Sequence, residues 1–201
     1  MTLVTTPEEQ FDDVPDYDYP HERVPVTDDG AEMAYVDTAA GADDAGTADE
    51  TFLLLHGEPT WGFLYRSFVP ALSERGRVVI PDMLGFGRSD KYTDPEQYTF
   101  ELLYDSYERL LFDHLDLTNV TLVCQDWGGI LGLALAAHNP DRFARLVPMN
   151  TGLPDGTQTM ADEWHQFATF VESVETLPIG MLIENATATD LPDEVLAAYD
   201  A

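Results

Sequence analysis

Lysine is nearly missing from this 201-residue chain. Lys91 is the only one, and the nine Lys plus Arg residues face 38 Asp plus Glu, for a formal net charge of −29. With no basic patch to meet phosphates, nucleic-acid binding is excluded as a first reading. Cysteine is equally scarce: Cys124 stands alone, so no internal disulfide can form. Runs of 18 or more apolar residues are absent, so no transmembrane helix is expected. The N-terminus has no basic segment followed by an apolar one and is acidic by Glu8, so a secretory signal is not expected either. Together these point to a cytoplasmic protein that engages neither membrane nor nucleic acid. No His, Cys, Asp or Glu residues cluster at metal-ligand spacing, so neither metal nor cofactor is expected. The acidity is spread along the chain and mixed with apolar runs, which fits a solvated surface suited to high salt.

What is present is enough for one domain with a core, since 44% of residues are hydrophobic. Residues 1–22 read as an irregular arm. Residues 23–27 and 32–38 alternate loosely and predict two strands joined by a turn at Asp28-Asp29-Gly30. Residues 39–50 are a small acidic loop. Four short apolar runs follow, at 52–55, 78–80, 120–123 and 146–147, and read as strands buried on both faces. Helical stretches lie between them. The 100–115 stretch is amphipathic with Thr99 as its cap, and the apolar 128–138 stretch stops before Pro140. This alternation predicts a mostly parallel sheet covered by helices on both faces. Beyond Asn150 a loop at 151–160 leads to helices over 161–176 and 192–199. The first carries Trp164, Phe167, Ala168, Val171 and Val174 on one stripe. The expected organisation is thus a sheet core over 1–150 and the start of a helical cap over 151–201.

The segment Gln125-Asp126-Trp127-Gly128-Gly129 ends a predicted strand and opens a predicted helix. That is the context of a nucleophile elbow, a sharp turn that thrusts one side chain above the sheet, with small residues allowing helix and strand to approach. Here the tip is Asp126. A carboxylate displaces a leaving group from carbon and forms an ester that water must then hydrolyse. The same aspartate could be no more than a helix cap. His56-Gly57-Glu58-Pro59-Thr60-Trp61 follows the first apolar run, where such folds place an oxyanion loop. The backbone N–H groups of Glu58 and Trp127 would then stabilise the anion formed during ester hydrolysis. His56 reads as a loop-structuring residue rather than a base. The glycine-rich turn at 82–91 lacks the third glycine of a dinucleotide fingerprint and the Lys-Ser/Thr pair of a Walker loop.

Taken together, HGEPTW (56–61), DMLGFGRSDK (82–91) and QDWGG (125–129), with TPEEQF (6–11), resemble the haloalkane dehalogenases of the α/β-hydrolase fold. The resemblance implies a small halogenated alkane as substrate, water as co-substrate and Asp126 as nucleophile. It also implies a halide site made of the indole N–H of Trp127 and a second donor from the cap, Trp164. Epoxide hydrolases share the Asp-Trp-Gly elbow but typically carry histidine before it and an aromatic after His-Gly, where this chain has Gln125 and Glu58. The family's acid and catalytic histidine follow the cap. The five histidines here, His21, His56, His114, His138 and His165, all precede that point, so base and acid are expected to be missing from these residues. An edge of the sheet is then expected to lie open. A non-catalytic hydrolase-fold protein is the contrasting reading. A serine esterase is excluded at the elbow.

Overall fold

The computed structural model describes residues 2–39, 50–154, 156–157, 159, 161–174 and 176–200. Most of the acidic loop expected at 39–50 lies outside them. In chain order the strands are β1 (Leu3–Val4), β2 (His21–Pro25), β3 (Glu32–Asp37), β4 (Thr51–Leu55), β5 (Arg77–Pro81), β6 (Lys91–Tyr92), β7 (Val120–Gln125) and β8 (Phe143–Met149). The helices are α1 (Val69–Ser73), α2 (Phe100–Glu108), α3 (Trp127–His138), α4 (Asp162–Ser173), α5 (Ile179–Ala186) and α6 (Asp193–Tyr199).

Six strands form one sheet in the order β2-β3-β5-β4-β7-β8. The β2–β3 and β3–β5 pairs are antiparallel, and the β5–β4–β7–β8 run is parallel. The apolar runs are continuous because both faces are covered. Leu53, Leu55, Val79, Leu122 and Cys124 point to one side, where α2 and α3 bring Leu103, Tyr107, Leu131 and Leu135. The alternate residues Phe52, Leu54, Val78, Ile80 and Val123 point to the other. That second face is covered by the N-terminal arm, through Phe11 and Tyr17, by the 62–65 turn, through Phe63 and Tyr65, and by α6. The side-chain period of two along each strand thus splits one sequence pattern into two cores.

Local chemistry explains the element ends. The Thr99 hydroxyl accepts the Leu102 amide and caps α2. The expected single helix over 100–115 changes pitch at Arg109, and Arg109–His114 is a π-helical turn. The arm is more structured than its composition implies. β1 pairs with β6, a 3-10 turn spans Glu8–Phe11, and Tyr17 is buried. Helix α5 was not legible in the sequence, and α4 ends at Ser173, short of Val174.

Two apolar features are more exposed than the pattern predicts. β8 is an edge strand, with Leu146 47% and Val147 43% exposed, because its far side meets no element among the described residues. The α4 stripe is also open, with Trp164 49% and Phe167 42% exposed.

Candidate active site

The centre of the site is the step from β7 to α3. Asp126 sits there at φ 51°, ψ −123°, a backbone conformation that costs a non-glycine residue energy and persists only when neighbours fix it. They do so from both sides. The Asp126 amide donates to the Asn150 carbonyl at 3.3 Å, and the Asp126 carbonyl accepts from the Thr151 hydroxyl at 2.7 Å and from the Gly129 amide at 2.9 Å. The turn needs small neighbours. A Cβ on Gly128 would stand 2.2 Å from the Leu55 carbonyl oxygen, and one on Gly129 would stand 2.2 Å from the Thr151 hydroxyl.

The end of β4 faces the elbow. The Glu58 amide donates to Asp126 Oδ1 at 3.0 Å, so the sequence-predicted nucleophile and one sequence-predicted anion-stabilising donor are in direct contact. The Trp127 amide opens α3 and is one of the N–H groups that a helix leaves without an internal acceptor. Although Glu58 reaches solvent, its carboxyl is partly enclosed; that loss of water, followed by the Asp126 charge, raises its pKa. Gly57, which sequence reasoning did not single out, provides the room: a Cβ there would lie 2.3 Å from Asp126 Cβ. Its signal was the His-Gly pair directly before the loop.

His56 is fully buried, and both ring nitrogens are engaged. The Met83 amide, which can only donate, lies 2.9 Å from Nε2, so Nε2 accepts and Nδ1 carries the hydrogen toward the Gly57 carbonyl at 3.1 Å. Burial holds its pKa below the ordinary histidine value, against the opposing pull of the Asp82 charge. The ring pins β4 to the loop after β5. The other histidines make separate contacts. His21 approaches Glu8, His114 lies by the Tyr35 hydroxyl, His138 lies by the Tyr104 hydroxyl, and His165 meets the Trp164 ring. Among the described residues, none of the five hydrogen-bonds Asp126.

The glycine-rich turn is structural. Asp82 accepts the Gly62 amide at 2.8 Å and the Arg88 amide at 2.9 Å, while Gly85 and Gly87 adopt positive φ. Lys91 caps the Gly87 and Ser89 carbonyls, and burial lowers its pKa to about 8.

Trp127 is half-buried against the core, and its indole N–H donates to no described protein group. Trp164 stands on exposed α4, its ring edge-on to His165, and no described contact joins it to Asp126 or Trp127. Trp61, in contrast, is a packing residue, its indole donating to the Ala198 carbonyl at 3.0 Å.

Residues 50–194 match the alpha/beta hydrolase fold family. A haloalkane dehalogenase of Psychrobacter cryohalolentis is 39% identical over the whole chain, which spans 65% of that protein's length. One from Mycobacterium marinum is 37% identical, again over the whole chain and 67% of its own length. Among solved structures, the tetrameric haloalkane dehalogenase from Paraglaciecola agarilytica NO2 superposes with a TM-score of 0.90 at 39% identity, covering 100% of this chain and 66% of that one. The chain therefore spans about two thirds of the length of these relatives, and it belongs to the haloalkane dehalogenase family of the α/β-hydrolase fold.

Proposed function

We propose that these residues carry the first half of hydrolytic dehalogenation. An Asp126 carboxylate oxygen attacks the halogen-bearing carbon from the back. The new C–O bond forms as the carbon–halogen bond breaks, and the halide leaves with the bonding electrons. In this reading the indole N–H of Trp127, which donates to no described protein group, receives that halide, and Trp164 of α4 is the second donor. Water then attacks the ester carbonyl, the Glu58 and Trp127 amides hold the resulting oxyanion, and collapse returns Asp126 and releases the alcohol. That second half needs a base, which we place with its acid in the part of the family's length that these residues do not span. Residues 151–201 are read as the beginning of the cap over this pocket. No cofactor or metal enters the scheme.

The observation that carries the proposal is the Glu58 amide on the Asp126 carboxylate at a strained elbow. A capping aspartate would instead accept an amide of its own helix, and no such side-chain bond is present at α3. The rival reading, epoxide hydrolysis, draws on cap tyrosines. Tyr199 is turned away from that role, buried against Phe63 with its hydroxyl 3.4 Å from Arg66. The net charge of −29 fits a cytoplasmic enzyme working in high salt, where repulsion is screened to within about 3 Å at 1 M.

The test is intact-protein mass spectrometry after exposure to 1,2-dibromoethane in high salt, with Asp126→Asn as control. A stable bromoethyl adduct that maps to Asp126 and is lost in the control is the expected result. A folded protein with no adduct would overturn the dehalogenase reading in favour of a non-catalytic member of the fold.

A further inference from the structure

A cavity of about 630 Å³ lies between the N-terminal arm and the glycine-rich turn, and neither Asp126, Glu58 nor Trp127 lines it. Its floor holds an arginine with unmet needs. Arg88 is nine-tenths buried, yet its Nε has no hydrogen-bond partner, and its guanidinium donates to no described protein group. Glu8 comes only to 3.8 Å, and that carboxylate is shared with His21 at 3.4 Å. The guanidinium is held flat over Phe11 at 4.3 Å and near Trp61 at 5.2 Å, so it is positioned without being satisfied. Tyr17 lines the same cavity with its ring, while its hydroxyl lies beside Gly62 on the Asp82 side; burial and then the Asp82 charge raise its pKa. A buried guanidinium Nε without an acceptor, beside an open volume, calls for one.

A bare anion would suit Arg88 but not its surroundings. Asp12 and Asp18 line the same cavity, are exposed, and join Glu8 in making it acidic, while Phe11, Tyr17 and Tyr19 provide aromatic walls. Carboxylates and ring faces together favour a cation. We propose that this cavity binds a small zwitterion, with its carboxylate on Arg88 and its ammonium end among the rings and the acids of the rim. The volume is within the range of small-molecule sites. The site is independent of the dehalogenase reading.

The test is titration calorimetry at constant ionic strength with trimethylglycine, acetate and tetramethylammonium as probes. Saturable binding of trimethylglycine is expected, with both half-ligands weaker. Loss of the charge-assisted bonds in Arg88→Gln should weaken it about tenfold or more. Tyr19→Leu removes one aromatic wall away from Arg88, so it serves should Arg88→Gln not fold, and it should weaken binding by a smaller factor. Binding of trimethylglycine that is undetectable, that is matched by acetate, or that survives unchanged in either folded variant would overturn the proposal.

Discussion

Replacing Gly57 with alanine should disable the elbow more than it damages the fold. The new Cβ would lie 2.3 Å from Asp126 Cβ and 2.7 Å from Asp126 Oδ1. Ordinary carbon contacts lie at about 3.5–4.0 Å, so roughly 1.2 Å or more must be found. Neither side can yield it easily. Asp126 is fixed by Asn150 and Thr151, and His56 on the other strand is fixed by Met83. The carboxylate must therefore swing off the Glu58 amide. A displacement of that size at a reacting group costs on the order of 100-fold in rate. Overpacking of this kind costs about 1–3 kcal/mol, or a melting shift of roughly 2–12 °C for a chain of this size. The assay is a time course of alkylation by intact mass, run beside a thermal melt, with Gly152→Ala as control because nothing lies within 4 Å of its added Cβ. A Gly57→Ala protein with an unchanged melt and the unsubstituted alkylation rate would refute the packing argument.

Leu122 and Leu146 look alike in sequence, each in a short apolar run, but Leu122 is fully buried and Leu146 is 47% exposed. Leu122→Ala should cost about 2–5 kcal/mol in denaturant unfolding, and Leu146→Ala should fall within about 0.5 kcal/mol; equal losses would contradict the assigned edge of the sheet. His56 gives a pH signature. Its folded pKa is depressed by burial, so the unfolded chain takes up a proton near pH 6.5 that the folded chain refuses. That stabilising contribution is complete above about pH 6.5 and is lost as pH falls toward the folded value. Urea midpoints of the parent minus those of His56→Gln should therefore decline below about pH 6.5, and a flat difference would show that His56 does not titrate with folding.

Much of this was legible because the sheet imposes its own periodicity. Every apolar run became a strand, and the antiparallel pair, the Thr99 cap and the elbow fell where turn and cap chemistry placed them. The site was legible where chemistry is local: Asp126 follows a strand, and Trp127 opens a helix. Gly57 was not, because its role depends on an atom 69 residues away in the chain (126 − 57). Arg88 was missed for the same reason. In sequence it belongs to a glycine-rich turn, and only folding lays the arm across it and leaves its Nε without an acceptor.

Exposure was the property least available to pattern reading, and the two open apolar surfaces show why. Burial depends on what stands opposite, and periodicity records only which face a residue shares with its neighbours. β8 repeats the composition of β4 and β7, but the order β2-β3-β5-β4-β7-β8 leaves it last, so only one flank gains a partner. The same reasoning applies to the α4 stripe, whose spacing resembles that of α2, although α2 packs into the core of the sheet while Trp164 and Phe167 of α4 stand exposed. The elbow depends less on what covers these surfaces. Its donors and its nucleophile come from the ends of the central strands β4 and β7 and the start of α3, and what it takes from β8 is only the Asn150 carbonyl and the Thr151 hydroxyl just past its end. A test of Asp126 thus probes the part of the site that needs neither β8 nor α4 to be covered.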